Sequence, residues 1–94
     1  MSAKQIFTNQ AANGNSVEFY GNGIAQLKLS GTFDGASIDL QSATNNGSDS
    51  FSTTGDPAIT TPSAWNIAYV PNVRYRLVLS SAGGSTDINA FVTQ

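Results

Sequence analysis

Tight-turn dipeptides at regular intervals are the feature that most restricts how this chain can fold. Asparagine or aspartate precedes glycine at Asn13-Gly14, Asn22-Gly23, Asp34-Gly35 and Asn46-Gly47. These residue types tolerate the positive φ angles that tight turns between twisted strands require. Pro71-Asn72 and Gly83-Gly84 extend the series. A turn signal about every ten residues, with short segments between, indicates a β-sandwich or small barrel.

Between the turns, apolar and polar residues alternate. The clearest runs are Ile24–Ser30, Ala36–Ser42 and Val73–Ser80. This alternation is typical of a strand with one face against a core, because successive side chains point to opposite faces of a sheet. Weaker strands are predicted at Lys4–Thr8, Ser16–Tyr20, Ser50–Thr53, Trp65–Val70 and Asp87–Thr93. Their predicted inward side chains are Ile6, Val17, Phe19, Phe51, Trp65, Ile67, Tyr69, Ile88, Ala90 and Val92.

The sequence therefore predicts a single all-β domain over residues 1–94. We expect an antiparallel β-sandwich, jelly-roll or immunoglobulin-like, of about eight short strands joined by hairpin-type turns. Two prolines, Pro57 and Pro62, predict that Thr54–Ala64 crosses from one sheet to the other, because proline cannot donate to a strand ladder. The polar residues 1–13 are interpreted as an N-terminal arm that orders against a neighbour.

Composition argues against most kinds of chemistry. The chain has four Lys and Arg residues, no His and no Cys. A nucleic-acid partner is not expected with so few bases, and histidine- or thiolate-based catalysis and zinc binding are excluded. The six acids are scattered, so we predict no enzyme activity, cofactor or resident metal. One alternative stays open, a calcium site built from Asp49, Asp56 and loop carbonyls.

Six residues are candidates for contact with a partner. Arg74 and Arg76 stand two apart on one predicted strand, so both project from one face, with Lys28 expected on a neighbouring strand. Arginine is enriched at protein interfaces, although the same pattern fits a solvated outer face. Phe33 and Phe91 are apolar residues predicted near or on an outer surface, and Ile6-Phe7 is the apolar pair of the arm.

Two segments resemble a stretch found in small structural proteins of tailed bacteriophages. The first reads G-T-F-D-G-A-S-I-D-L-Q from Gly31 to Gln41, and the second runs from Val73-Arg74-Tyr75-Arg76 through Gly83-Gly84 to Ala90. The resemblance implies a capsid decoration, or cement, protein on the virion surface. Its implied partner is the major capsid protein, its implied assembly a homotrimer, and the family offers no catalytic residues.

Localisation and a second functional class complete the expectations. There is no signal-peptide core or apolar run of membrane-spanning length, so we expect synthesis in the host cytoplasm and no membrane partner. The alternative function is a carbohydrate- or receptor-binding module of a phage tail fibre or baseplate. That alternative requires exposed aromatic rings that stack on sugar, for which Trp65 and Tyr69 are the candidates.

Overall fold

A computed structural model of the chain describes residues 3–21, 23–44, 50–54, 57–71 and 73–93, with the backbone alone for residues 3, 44 and 65–69. These residues are all-β, as the sequence predicts, and contain nine strands. The strands are β1 (Ala3–Gln10), β2 (Gly14–Asn15), β3 (Phe19–Tyr20), β4 (Gly23–Thr32), β5 (Ser37–Thr44), β6 (Ser52–Thr53), β7 (Ser63–Tyr69), β8 (Val73–Ser80) and β9 (Asp87–Thr93).

The strands form two antiparallel sheets that pack as a sandwich. Sheet A has the order β1-β9-β4-β7, and sheet B has the order β2-β8-β5-β6. The short strand β3 pairs with the same strand, β8, as β2 does. If β2 and β3 are counted as one interrupted strand, eight strand positions remain, which is the jelly-roll arrangement of two facing four-stranded sheets. The topology thereby selects the jelly roll over the immunoglobulin-like alternative.

Three of the connections join strands of different sheets. Asp34 and Gly35 have φ angles of 48° and 84°, and the amide of Ala36 donates to the Phe33 carbonyl at 2.9 Å, so the predicted turn chemistry is confirmed. However, this turn joins β4 of sheet A to β5 of sheet B, and the β7–β8 and β8–β9 connections also change sheet. The prediction of hairpins is therefore wrong for these three connections, whereas the consecutive strands β5 and β6 do pair with each other within sheet B. Turn residues fix the local reversal, and core packing decides which sheet the next strand joins.

The alternating runs supply the core as predicted. The largest fully buried side chains all come from the inward faces of β4, β5, β8 and β9: Leu27, Leu29, Ile38, Leu77, Leu79 and Ile88. Each such side chain contributes about 1.5–3 kcal/mol by leaving water. The predicted crossing is also confirmed, because the chain passes from β6 in sheet B to β7 in sheet A through this proline-containing stretch.

The N-terminal segment is a strand of sheet A, so its interpretation as an arm is wrong. β1 pairs antiparallel with β9, and the register shifts between Gln5 and Phe7. At this bulge two consecutive residues, Ile6 and Phe7, both turn into the core and are 2% exposed. A regular strand would place one of them outside, and the bulge supplies the extra residue that lets both be buried.

Candidate functional site

The outer face of sheet B carries a cluster that we call the arginine cluster, composed of Phe51, Arg74, Arg76 and Gln41. Strand β8 alternates, and Tyr75 and Leu77 point into the core. Arg74 and Arg76 therefore project from the opposite face. The guanidinium carbon of Arg76 lies 4.1 Å from the centre of the Phe51 ring, and that of Arg74 lies 5.0 Å from it. Both distances are within cation–π range.

Polar contacts hold both guanidinium groups in place. Arg76 Nε donates to Gln41 Oε1 at 2.9 Å, and these two residues are register partners on β8 and β5. Arg74 forms an ion pair with Glu18, whose Oε1 lies 3.3 Å from the Arg74 Nη1. Lys4 Nζ in turn donates to the Glu18 carbonyl at 2.9 Å. Held in this way, the arginine side chains lose less entropy when they bind a partner than freely rotating ones would.

Exposed apolar surface adjoins the arginine cluster. Tyr20 on β3 is the register partner of Arg74 and is 55% exposed. Arginine and tyrosine are the residue types that most often dominate the energy of protein interfaces. The arrangement is suited to contact with another macromolecule.

Two predicted inward residues face outward. Phe51 was expected in the core, but it lies over the two arginines on the outer face and is half-buried. Val17, also predicted inward, is 54% exposed. Phe51 sits in the short polar run Ser50-Phe51-Ser52, where no second apolar residue indicates a direction. The arginines two apart on β8 were the only sequence signal for this site.

The six predicted interface residues lie in three separate places. Arg74 and Arg76 are on the outer face of sheet B, whereas Phe91 is half-buried on the outer face of sheet A, between its register partners Gln5 and Lys28. Lys28 is therefore not beside the arginines, contrary to prediction. The other three residues are in the core, with exposed fractions of at most 6%, so their prediction as contact residues is wrong: Ile6, Phe7 and Phe33.

The residues of the two open alternatives fall outside what the structure describes. Asp49 and Asp56 are not among the described residues, and for Trp65 and Tyr69 the backbone alone is described, within β7. The calcium and sugar-stacking sites therefore stay predictions. In the described ranges, no three His, Cys, Asp or Glu residues come together as a potential metal site.

One surface concavity lies in the β6–β7 connection. It has a volume of about 270 Å³ and is lined by residues 57–61 and Ser63. The described side chains that line it are uncharged. Over the described part of the chain, no helix has the length and hydropathy needed to cross a membrane.

The described residues thus form a jelly-roll sandwich with an arginine–aromatic cluster on the outer face of one sheet. No protein-family model, curated protein or solved structure matches the chain.

Proposed function

We propose that this chain is a non-enzymatic structural protein of a phage virion, a decoration protein that binds the outer capsid surface where major capsid subunits meet. In this proposal the outer face of sheet B is the docking face. Binding buries surface across the joints between subunits. Because the decoration protein binds the assembled shell and not the free subunits, it stabilises the shell by mass action.

The observation that carries the proposal is the arginine cluster. Two of the four basic residues of the chain are stacked on one phenylalanine, with Tyr20 exposed beside them. A planar guanidinium can bind a carboxylate through two parallel hydrogen bonds, so acidic side chains or main-chain carbonyls of a partner protein are suitable ligands. A charge of −2 over the whole chain makes a nucleic-acid partner a poorer match.

Two further arguments favour a virion protein over other binding modules. The first is the resemblance of segments 31–41 and 73–90 to small structural proteins of tailed phages. The second is the fold, since jelly rolls recur in viral capsid proteins, although they also recur in lectins. A fold alone does not choose between these functions, which is why the docking face has to be tested directly.

The test is co-sedimentation of the purified chain with capsids of the phage that encodes it, after the native decoration has been removed. We expect saturable binding, and we expect Arg76→Ala to weaken it at least about tenfold, the loss typical of an interface hot spot. Arg76→Lys should recover only part of the affinity, because lysine keeps the charge but lacks the planar, stacking guanidinium.

Lys28→Ala is the matched control, since it removes one exposed basic residue from the outer face of sheet A. Its binding should equal that of the wild type. Capsids that do not retain the wild-type chain would refute the decoration proposal. Equal losses from Lys28→Ala and Arg76→Ala would instead show that binding depends on net charge and not on this docking face.

The alternative, a carbohydrate- or receptor-binding module of a tail fibre or baseplate, makes a different prediction. It requires binding to a glycan array, and Trp65→Ala or Tyr69→Ala should abolish that binding while Arg76→Ala leaves it unchanged. Glycan binding with this mutational pattern, together with no retention on capsids, would favour the alternative.

A further inference from the structure

The two edge strands of sheet A differ in how they are protected. β1 has two register shifts, a positive φ of 46° at Asn9, and the charged residue Lys4. Its outer side is also occupied, because the amide of Val17 donates to the Ile6 carbonyl at 3.1 Å. Bulges, lysines and covering segments are the features by which natural proteins prevent an edge strand from pairing with another chain.

β7, the opposite edge, has no register shift and no charged residue, and within the described ranges no strand covers its outer side. It pairs with β4 at seven consecutive positions, from Gly23 opposite Tyr69 to Leu29 opposite Ser63, without a register shift. Its sequence, S-A-W-N-I-A-Y, contains no charged residue and no proline. Among the strands of the described ranges, β4 is the only one paired with it.

Among the described residues, no strand pairs with β7 on the side away from β4. In an antiparallel pair, the residues of one strand direct their N–H and C=O groups alternately toward the partner and away from it. Residues that do not bond β4 consequently point these groups away from it, along an edge of seven residues. Such an edge is a template on which a further strand can add.

We propose that β7 is the edge at which a second copy of this chain pairs, antiparallel and related by a two-fold axis near Asn66. An antiparallel copy satisfies the outward N–H and C=O groups of both strands by symmetry, without a second complementary sequence. Because β7 is neutral, no register places like charges opposite each other. The two sheets A would then form one continuous sheet of eight strands across the dimer.

This inference is independent of the proposed function. The docking face proposed for the capsid is the outer face of sheet B, which the β7 edge does not include. Two-fold pairing gives a dimer, whereas the phage resemblance implies a trimer. The molar mass in solution distinguishes these assemblies, and neither outcome depends on whether capsids bind.

The experiment measures molar mass by analytical ultracentrifugation of the full chain, from micromolar to millimolar concentration. We expect a reversible monomer–dimer equilibrium. Asn66→Lys should weaken the dimer about tenfold or more, and Asn66→Glu should do the same, because like charges would face each other near the axis. An equimolar mixture of the two variants should recover dimers, since opposite charges then meet.

Gln26→Lys is the matched control. Gln26 is the register partner of Asn66, but it lies on β4, inside the sheet, and is exposed. It adds the same charge away from the edge and should leave the dimer constant within about twofold, the scale of a screened surface charge. Circular dichroism of each variant verifies that it is folded.

A second measurement needs no substitution. Backbone hydrogen exchange of the wild type, followed at rising protein concentration, should slow at alternate amides of β7 and not at those of β1. A monomer at every concentration, a trimer, or a dimer whose constant is the same in Asn66→Lys would each overturn the inference. Concentration-dependent protection of amides elsewhere, with none on β7, would overturn it as well.

Discussion

The two ends of the sandwich are built in different ways. At one end, which we call the corner end, the β4–β5 turn at residues 33–36 lies against the β8–β9 turn at residues 81–86. At the other, the open end, lie the β3–β4 and β7–β8 connections. The corner end is closed by buried polar contacts and close backbone approach, whereas the open end exposes large apolar side chains.

At the corner end a single hydroxyl joins the two turns. Thr86 Oγ1, on a residue that is 3% exposed, donates to the Phe33 carbonyl at 2.8 Å and accepts from the Gly83 amide at 2.9 Å. In addition, the Ser85 amide donates to Asp34 Oδ2 at 2.8 Å. A Cβ atom on Gly83 would overlap Asp34, so glycine is required for this close approach.

At the open end the backbone is connected but the apolar side chains are not covered. The Val70 amide donates to the Tyr75 hydroxyl at 2.9 Å, and the Gly21 amide donates to the Val73 carbonyl at 2.9 Å. Ile24 is nevertheless 76% exposed and Val70 57% exposed. Side chains that stay in water add little to the free energy of folding.

The comparison also bears on the two segments from which a phage structural protein was predicted. The residues G-T-F-D-G-A and the later A-G-G-S-T-D lie on the two turns that meet at the corner end. The residue types in these segments meet the requirements of a tightly packed corner. They do not identify binding residues, because the arginine cluster lies elsewhere, on the outer face of sheet B.

The largest expected effect comes from a glycine at the corner end. Gly31 has a φ of 109°, and a Cβ atom there would overlap the carbonyl of Asp87. Gly31→Ala therefore combines backbone strain with a clash against backbone, and it should lower the free energy of unfolding by about 3–5 kcal/mol. Urea or thermal unfolding followed by circular dichroism measures this loss.

Gly23→Ala is its control at the open end. Gly23 has a φ of 93°, but a Cβ atom there meets nothing within 4 Å. The substitution should cost only the strain, about 1 kcal/mol. Similar losses from both alanines would show that crowding at the corner end contributes nothing beyond backbone conformation.

Truncation of one isoleucine at each end should give the next largest difference in the free energy of unfolding. Ile88, the register partner of Gly31, is fully buried, so Ile88→Ala should cost about 3 kcal/mol through lost burial and a cavity. Ile24→Ala removes the same atoms from an exposed position and should change stability by less than about 0.5 kcal/mol. A loss above about 1.5 kcal/mol at Ile24 would mean that the open end is covered in solution.

The smallest expected loss of stability comes from removing the Thr86 hydroxyl, which joins the two turns. Thr86→Val keeps the shape of the side chain but leaves the Gly83 amide without its partner, at a cost of about 2 kcal/mol. Thr32→Val, at an exposed position at the end of β4, is the control and should be close to neutral. If the two valine variants unfold at the same urea concentration, the hydroxyl does not hold the corner together.

Alternation and turn chemistry determined the fold class and most of the core. The inward residues of β4, β5, β8 and β9 were correctly predicted because period-two patterns are local and each covers several residues. The same pattern correctly placed Arg74 and Arg76 together on one outer face. Sequence also located the turn at Asp34-Gly35, where both residues adopt the positive φ angles that these residue types favour.

Only the tertiary structure decided which sheet each strand joins, and therefore which side chains lie together on one surface. Three connections that were expected to form hairpins instead cross between sheets, and Lys28 and the arginines lie on different sheets. The bulge that turns Ile6 and Phe7 into the core, and the position of Phe51 over the arginines, likewise have no signature in the local pattern. The physical reason is that side-chain alternation is set by neighbouring residues, whereas sheet membership is set by non-local contacts that bury both layers at once.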